Sequence, residues 1–279
     1  FGKCVSISGD TMAIAGGNAA YIYSRNQGGT NNWGLQKKVT VSGTASSVAI
    51  DGDTLVIGDR SDGNYHGAAS IFYRNMGGTN NWGLATKIYA SDKFDMDFFG
   101  GDVAIYFDYV VVGAWGDDDS GSESGSVYLF ERDSGGTDNW GEIKKIVAAD
   151  AAANDHFGDA VSVYGGNIIV GAPNENSYRG AAYIFGKNQG GLDQWGQMAK
   201  LVPSGVAQFD YFGKSVSIYG ETAVVGAPTE NTSKGKAYLV RFISSWRITK
   251  EIVSGETVPN SARFGYSVHI HNDLMAIGA

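Results

Sequence analysis

Alternation of apolar and polar residues at 160–164 is followed by short, mostly apolar runs at 168–171, 181–185 and 198–202, and turn-forming residues separate these segments. Short runs of this kind read as β-strands. The first two are joined by a two-residue turn, Gly165-Gly166, and the same place elsewhere holds Gly9-Asp10, Gly52-Asp53, Gly220-Glu221 and Asn272-Asp273. Such pairs tolerate positive φ and match hairpin twist, so consecutive strands pair antiparallel. The unit predicted is a four-stranded meander.

The unit repeats along the whole chain. A pattern that opens with Phe157-Gly158 and closes with Gly171-Ala172-Pro173 returns as Phe212-Gly213 to Pro228, as Phe99-Gly100 to Gly113-Ala114-Trp115, and as Phe264-Gly265 to Gly278-Ala279. Two copies are eroded, one from Phe1-Gly2 to Gly17 and one from Thr44-Ala45 to Arg60. The starts at 1, 44, 99, 157, 212 and 264 give a period of 43 to 58 residues, which suits a propeller blade and exceeds most solenoid coils. The expected fold is all-β: a β-propeller of four-stranded antiparallel blades, five complete repeats plus two strands of a sixth, in one domain over 1–279. With the sixth repeat half present, the expectation is a segment of a larger protein whose six- or seven-bladed ring is completed by further chain or by a partner.

Composition narrows the partners. A net charge of −8 and a pI near 4.9 disfavour nucleic acid and anionic membrane surfaces. No apolar run is long enough to insert in a bilayer. A single cysteine, Cys4, forms no internal disulfide and fixes no compartment. No signal peptide is visible, and the sequon Asn231-Thr232-Ser233 is read as a chance match.

Two side-chain series recur with the repeat. Fourth strands carry Lys37, Lys38, Lys87, Lys144, Lys145, Lys200 and Lys250, read here as edge-strand lysines that block aggregation rather than as an anion-binding rim. Between strands three and four stand GGTNNWG at 28–34 and 77–83, GGTDNWG at 135–141 and GGLDQWG at 190–196. The tryptophans Trp33, Trp82, Trp140 and Trp195 are expected to clamp each loop to its own blade. The alternative is a ring of aromatic faces that stacks on sugars.

The Phe-Gly and Gly-Ala-Pro signatures resemble the FG-GAP repeat of integrin α-subunit propellers and of many surface proteins, most closely the short bacterial-type variant. The resemblance covers the whole chain and implies an extracellular or cell-surface location. It also implies calcium in an acidic loop between the first two strands of some blades. Here that loop is two residues long, too short to wrap an ion with six or more oxygens, so the family calcium site does not carry over.

Acidic residues gather instead in the loop entering strand one and the loop joining strands two and three. In repeat three these carry Asp92, Asp95, Asp97, Asp117, Asp118, Asp119 and Glu123, with Lys93 as the one nearby positive charge. Asp92, Asp95, Asp97, Asp117 and Asp119 are therefore the candidate ligands for a hard cation such as Ca2+. Catalysis has little support: no nucleophile elbow, HExxH or phosphate loop is present, and His269 and His271 lack a third ligand. The function expected is non-enzymatic recognition, adhesion or structure, with propeller loops presented to a protein or glycan. The alternative is a polysaccharide-acting enzyme that uses acidic loop residues.

Overall fold

The computed structural model describes residues 1–255, 259 and 261–279. Five sheets have four strands each, hydrogen-bonded in sequence order. They comprise Val5–Ser8, Thr11–Gly16, Ala19–Ser24 and Gly34–Thr40; Ala45–Asp51, Thr54–Asp59, Ala68–Tyr73 and Gly83–Ile88; Val103–Tyr106, Tyr109–Ala114, Ser126–Glu131 and Gly141–Ile146; Ala160–Tyr164, Asn167–Ala172, Ala181–Lys187 and Trp195–Leu201; Ser215–Tyr219, Thr222–Ala227, Lys236–Phe242 and Trp246–Ile252. A sixth sheet pairs Ser267–His271 with Leu274–Gly278. These are blades of a β-propeller, numbered one to six, each an antiparallel meander as the alternation predicts.

The chain forms two compact units, residues 1–117 with 128–145, and residues 118–127 with 146–279. Each has its own core. In the first unit, one cluster centres on Leu55, Ile57 and Trp82 and another on Phe99, Tyr128 and Trp140. In the second, Ile169, Ile184, Phe212, Tyr238 and Trp246 pack together. The second strands of blades three, four and five are buried at every position but the first, as befits strands covered on both faces.

Two local features depart from the expected pattern. The fourth strand of blade four starts at Trp195, not Met198, and its pairing with strand three shifts register between Ile184 and Phe185. The irregularity interrupts strict alternation, which hides the strand's first half. In blade three the first turn is Phe107-Asp108, with Phe107 at φ 50° where other blades place glycine or asparagine. Its N–H donates to Asp51 at 2.7 Å.

Neighbouring blades are joined by a recurring backbone contact. The loop between strands two and three ends in a glycine with φ of 81–85°: Gly67, Gly125, Gly180 and Gly235. Against each sits the Phe of the next repeat. A Cβ on these glycines would lie 1.9, 2.0, 2.0 and 2.1 Å from the carbonyl oxygen of Phe99, Phe157, Phe212 and Phe264 respectively. The same phenylalanines donate their N–H back to His66, Ser124, Arg179 and Lys234 at 2.8–3.3 Å. Their rings turn into their own blade, where Phe99 meets Tyr128, Phe157 meets Tyr183 and Phe212 meets Tyr238 edge-on. The Phe-Gly signature thus pins one blade to the next.

This latch gives a paired prediction. Gly180→Ala meets both a left-handed backbone and the Phe212 carbonyl, and should lower unfolding free energy by about 3 kcal/mol or more. Gly205→Ala has positive φ but open space around its Cβ, and should cost only about 1 kcal/mol. Urea denaturation of the two variants checks the difference; equal losses would mean that the close approach carries no weight.

Candidate functional site

The residues just before each Phe-Gly share an unusual conformation. Phe98, His156, Tyr211 and Arg263 have φ of 54–58°, and the residues two positions earlier, Met96, Asn154, Phe209 and Ser261, have φ of 67–75°. Bulky side chains rarely occupy this left-handed region, which costs of order 1–2 kcal/mol per residue. Hydrogen bonds hold them there. Phe98 donates its N–H to Tyr65, His156 to Glu123, Tyr211 to Tyr178 and Arg263 to Ser233, at 2.8–3.1 Å. The four acceptors are themselves left-handed, with φ of 52–65°. One backbone frame thus presents a different side chain in each blade.

In the first unit the frame carries aromatics. Phe98 stacks on Trp115 at 4.3 Å and 6°, and Tyr65 leans on Phe98 at 5.6 Å. In the second unit Tyr178 stacks on Phe209 at 5.3 Å and contacts Tyr211 at 5.7 Å. Beside them lies an open groove of about 220 Å³ lined by His156, Pro173, Tyr211, Pro228, Arg263 and Tyr266. Sequence reasoning passed over these positions, although the signal is there: in four repeats the Phe-Gly is preceded by Phe, His, Tyr and Arg in turn.

Two of the five candidate cation ligands of blade three already share a lysine. Asp92 and Asp117 converge on Lys145, whose Nζ lies 2.7 and 2.9 Å from them, and each has an oxygen 2.7 Å from the Tyr128 hydroxyl, whose single hydrogen serves one of them at a time. Burial alone would raise the Asp92 pKa, but the ammonium and the hydroxyl hold it below the usual carboxylate range. Asp95 accepts from Asn64 at 3.3 Å, and Asp119 is exposed and belongs to the second unit. Asp97 is buried and caps the Phe94 N–H; its pKa is pushed up to about 6 by burial, with the charges of Asp117 and Asp92 adding to it. Asp155 and Asp210 cap Ala152 and Ala207 in the same way, so this aspartate is a repeated turn-former.

Lysines supply the neutralisation that the local sequence lacks. Lys87 pairs with Asp62 and Lys200 with Asp150 and Glu175, by the same geometry as Lys145. These three fourth-strand lysines are thus engaged in ion pairs within the fold. Each reaches from strand four to the loop carboxylates, because the meander brings a residue far along the chain beside them.

The tryptophans are also placed differently from the stacking alternative. Trp82, Trp140 and Trp195 are buried, leaving no open ring face for a sugar, and Trp33 is half-buried under Arg25. Nor do they clamp only their own blade. Trp82 donates its indole N–H to Gln36 and Trp140 to the Tyr73 hydroxyl, both on the preceding blade. Arg74 and Arg132 cover these rings at 4.9 and 5.0 Å and pair with Asp53 and Asp108 of the first turn.

Residues 82–130, 140–185 and 195–240 each match the family model of the FG-GAP repeat. The chain belongs to the FG-GAP repeat family. Each matched FG-GAP stretch begins at a tryptophan and ends in strand three of the following blade, so the family unit spans the latch between blades. A comparison with curated proteins found no match. Among solved structures, the crystal structure of Saccharomyces cerevisiae Sqt1 is similar, with a TM-score of 0.53, 13% identity, and coverage of 98% of this chain and 79% of that one. At that identity the likeness is one of fold.

In this FG-GAP chain a cation bound between Asp92 and Asp117 would have to displace Lys145. The melting temperature should stay unchanged from chelator to millimolar calcium. Lys145→Ala should lower stability by about 3 kcal/mol by leaving buried Asp117 without its counter-charge. A calcium-dependent rise in the unaltered protein would contradict this, since tight binding to the folded state must raise the melting temperature.

Proposed function

We propose that this FG-GAP propeller is an extracellular or cell-surface recognition module that binds a protein or glycan through the loops before Phe-Gly and does not turn it over. One observation carries the reading. Left-handed backbone, inter-loop hydrogen bonds and Phe-Gly latch are constant, while the side chain presented changes from Phe98 to His156, Tyr211 and Arg263. Non-glycine residues held in costly conformations mark places where position matters more than local stability. Exposed Phe209, Tyr178 and Tyr266 add the aromatic surface that recognition sites favour. Among the described residues no helix is long and apolar enough to cross a membrane.

The enzymatic alternative draws its general acid from the loop carboxylates. Asp97 has the raised pKa such a role needs, but its carboxylate is committed to the turn that Asp155 and Asp210 also form. No observation favours turnover over binding.

Asparagine tolerates left-handed backbone, so His156→Asn, Tyr211→Asn and Arg263→Asn together remove the side chains while keeping the frame. On arrays of glycans and peptides the unaltered protein should retain ligands that the triple variant loses, at an unchanged melting temperature. Hydrolysis or elimination of an arrayed polysaccharide, abolished by Asp97→Asn, would overturn the reading.

A further inference from the structure

The groove of the second unit has a definite charge. Its basic residues are His156, Lys214 and Arg263, and no carboxylate lines it. His156 is bonded to Glu123 at 2.9 Å and Lys214 to Asp159 at 2.6 Å, so these two are compensated within the fold. Arg263 forms no ion pair among the described residues. In a chain of net charge −8, this groove therefore offers a guanidinium with no carboxylate partner among the described residues, a group whose planar fork matches a carboxylate.

The walls narrow the ligand further. Tyr211, Tyr266, Pro173 and Pro228 supply flat apolar faces, Asn174 supplies an amide that can both donate and accept, and Thr229, whose hydroxyl donates to the Phe209 carbonyl, supplies an oxygen that can accept. The backbone is unhelpful to a peptide: the N–H groups of Tyr211, Phe212, Arg263 and Phe264 are already used between loops, and that of Asn174 goes to Asp155. A peptide bound along the groove would find few main-chain donors, on which extended-peptide recognition depends. A volume of about 220 Å³ is smaller than most small-molecule sites, so it takes one ring of a longer chain.

We propose that the groove binds a uronic acid unit of an anionic polysaccharide, with its carboxylate on Arg263, its ring against Tyr211 and Tyr266, and its hydroxyls toward Asn174 and Thr229. The proposal rests on the recognition reading above and names its ligand class.

Titration calorimetry with trisaccharides of galacturonate, mannuronate and guluronate tests it. At least one should bind with a stoichiometry of one, and its methyl ester should bind about tenfold more weakly or worse, because the charge-assisted pair is lost. Arg263→Gln should weaken the acid by about tenfold and leave the ester unchanged, whereas Arg263→Lys should lose part of that factor by keeping charge without the fork. Absence of binding by all three acids, or binding indifferent to Arg263→Gln, overturns the proposal. Equal or tighter binding of a glutamate-rich hexapeptide, lost in the same variant, overturns the sugar assignment. Failure here with loss of arrayed ligands in the triple variant leaves recognition standing with another ligand; failure of both removes the recognition reading as well.

Discussion

At four blade junctions a glycine lets the carbonyl of the next repeat's phenylalanine pass about 2 Å from where a Cβ would stand. The fold depends on this contact because it does two things at once. It commits the phenylalanine's N–H and C=O region to the preceding blade and drives the ring into its own blade's core. A second close approach reinforces it: Gly58, Gly171 and Gly226 of the second strands lie against the carbonyls of Gly100, Gly213 and Gly265. With neighbours fixed backbone to backbone, the residue just before Phe-Gly has little freedom, and its left-handed conformation follows from the junction.

Charge and aromatic packing secure both ends of blades two and three and one end of blade four. Near the latch, strand-four lysines neutralise carboxylates brought together by the two loops, most completely around Lys145 and Lys200. Near the first turn, an aspartate holds an arginine over a tryptophan that is bonded to the preceding blade. These arrangements satisfy many of the polar groups that a meander buries, and they do so without drawing on the side chains before Phe-Gly. Recognition chemistry can then vary there without altering the frame.

The fold was legible because period-two alternation, two-residue turns and the Phe-Gly spacing all encode backbone geometry. The site was less so. Lys145 lies more than fifty residues from Asp92, and nothing along the chain marks them as partners; only the meander sets strand four beside the loop that enters strand one. The acidic stretch around Asp95 therefore reads as uncompensated when taken alone. The GGTNNWG loops revealed a recurring aromatic without revealing that its indole crosses to Gln36 or Tyr73 of another blade. Phe98, His156, Tyr211 and Arg263 differ in polarity and charge, so a search for shared residues overlooks the place where the difference is the feature.

The central claim is that the frame before Phe-Gly is fixed by the junction and not by the side chain it carries. Amide hydrogen exchange resolved at Phe98, His156, Tyr211 and Arg263 measures this directly, since each N–H is bonded across the junction. These amides should be protected as strongly as the adjoining Phe99, Phe157, Phe212 and Phe264, and protection should survive when asparagine replaces the presented residue. Rapid exchange at these amides, or protection that disappears with the side chain, would contradict the account.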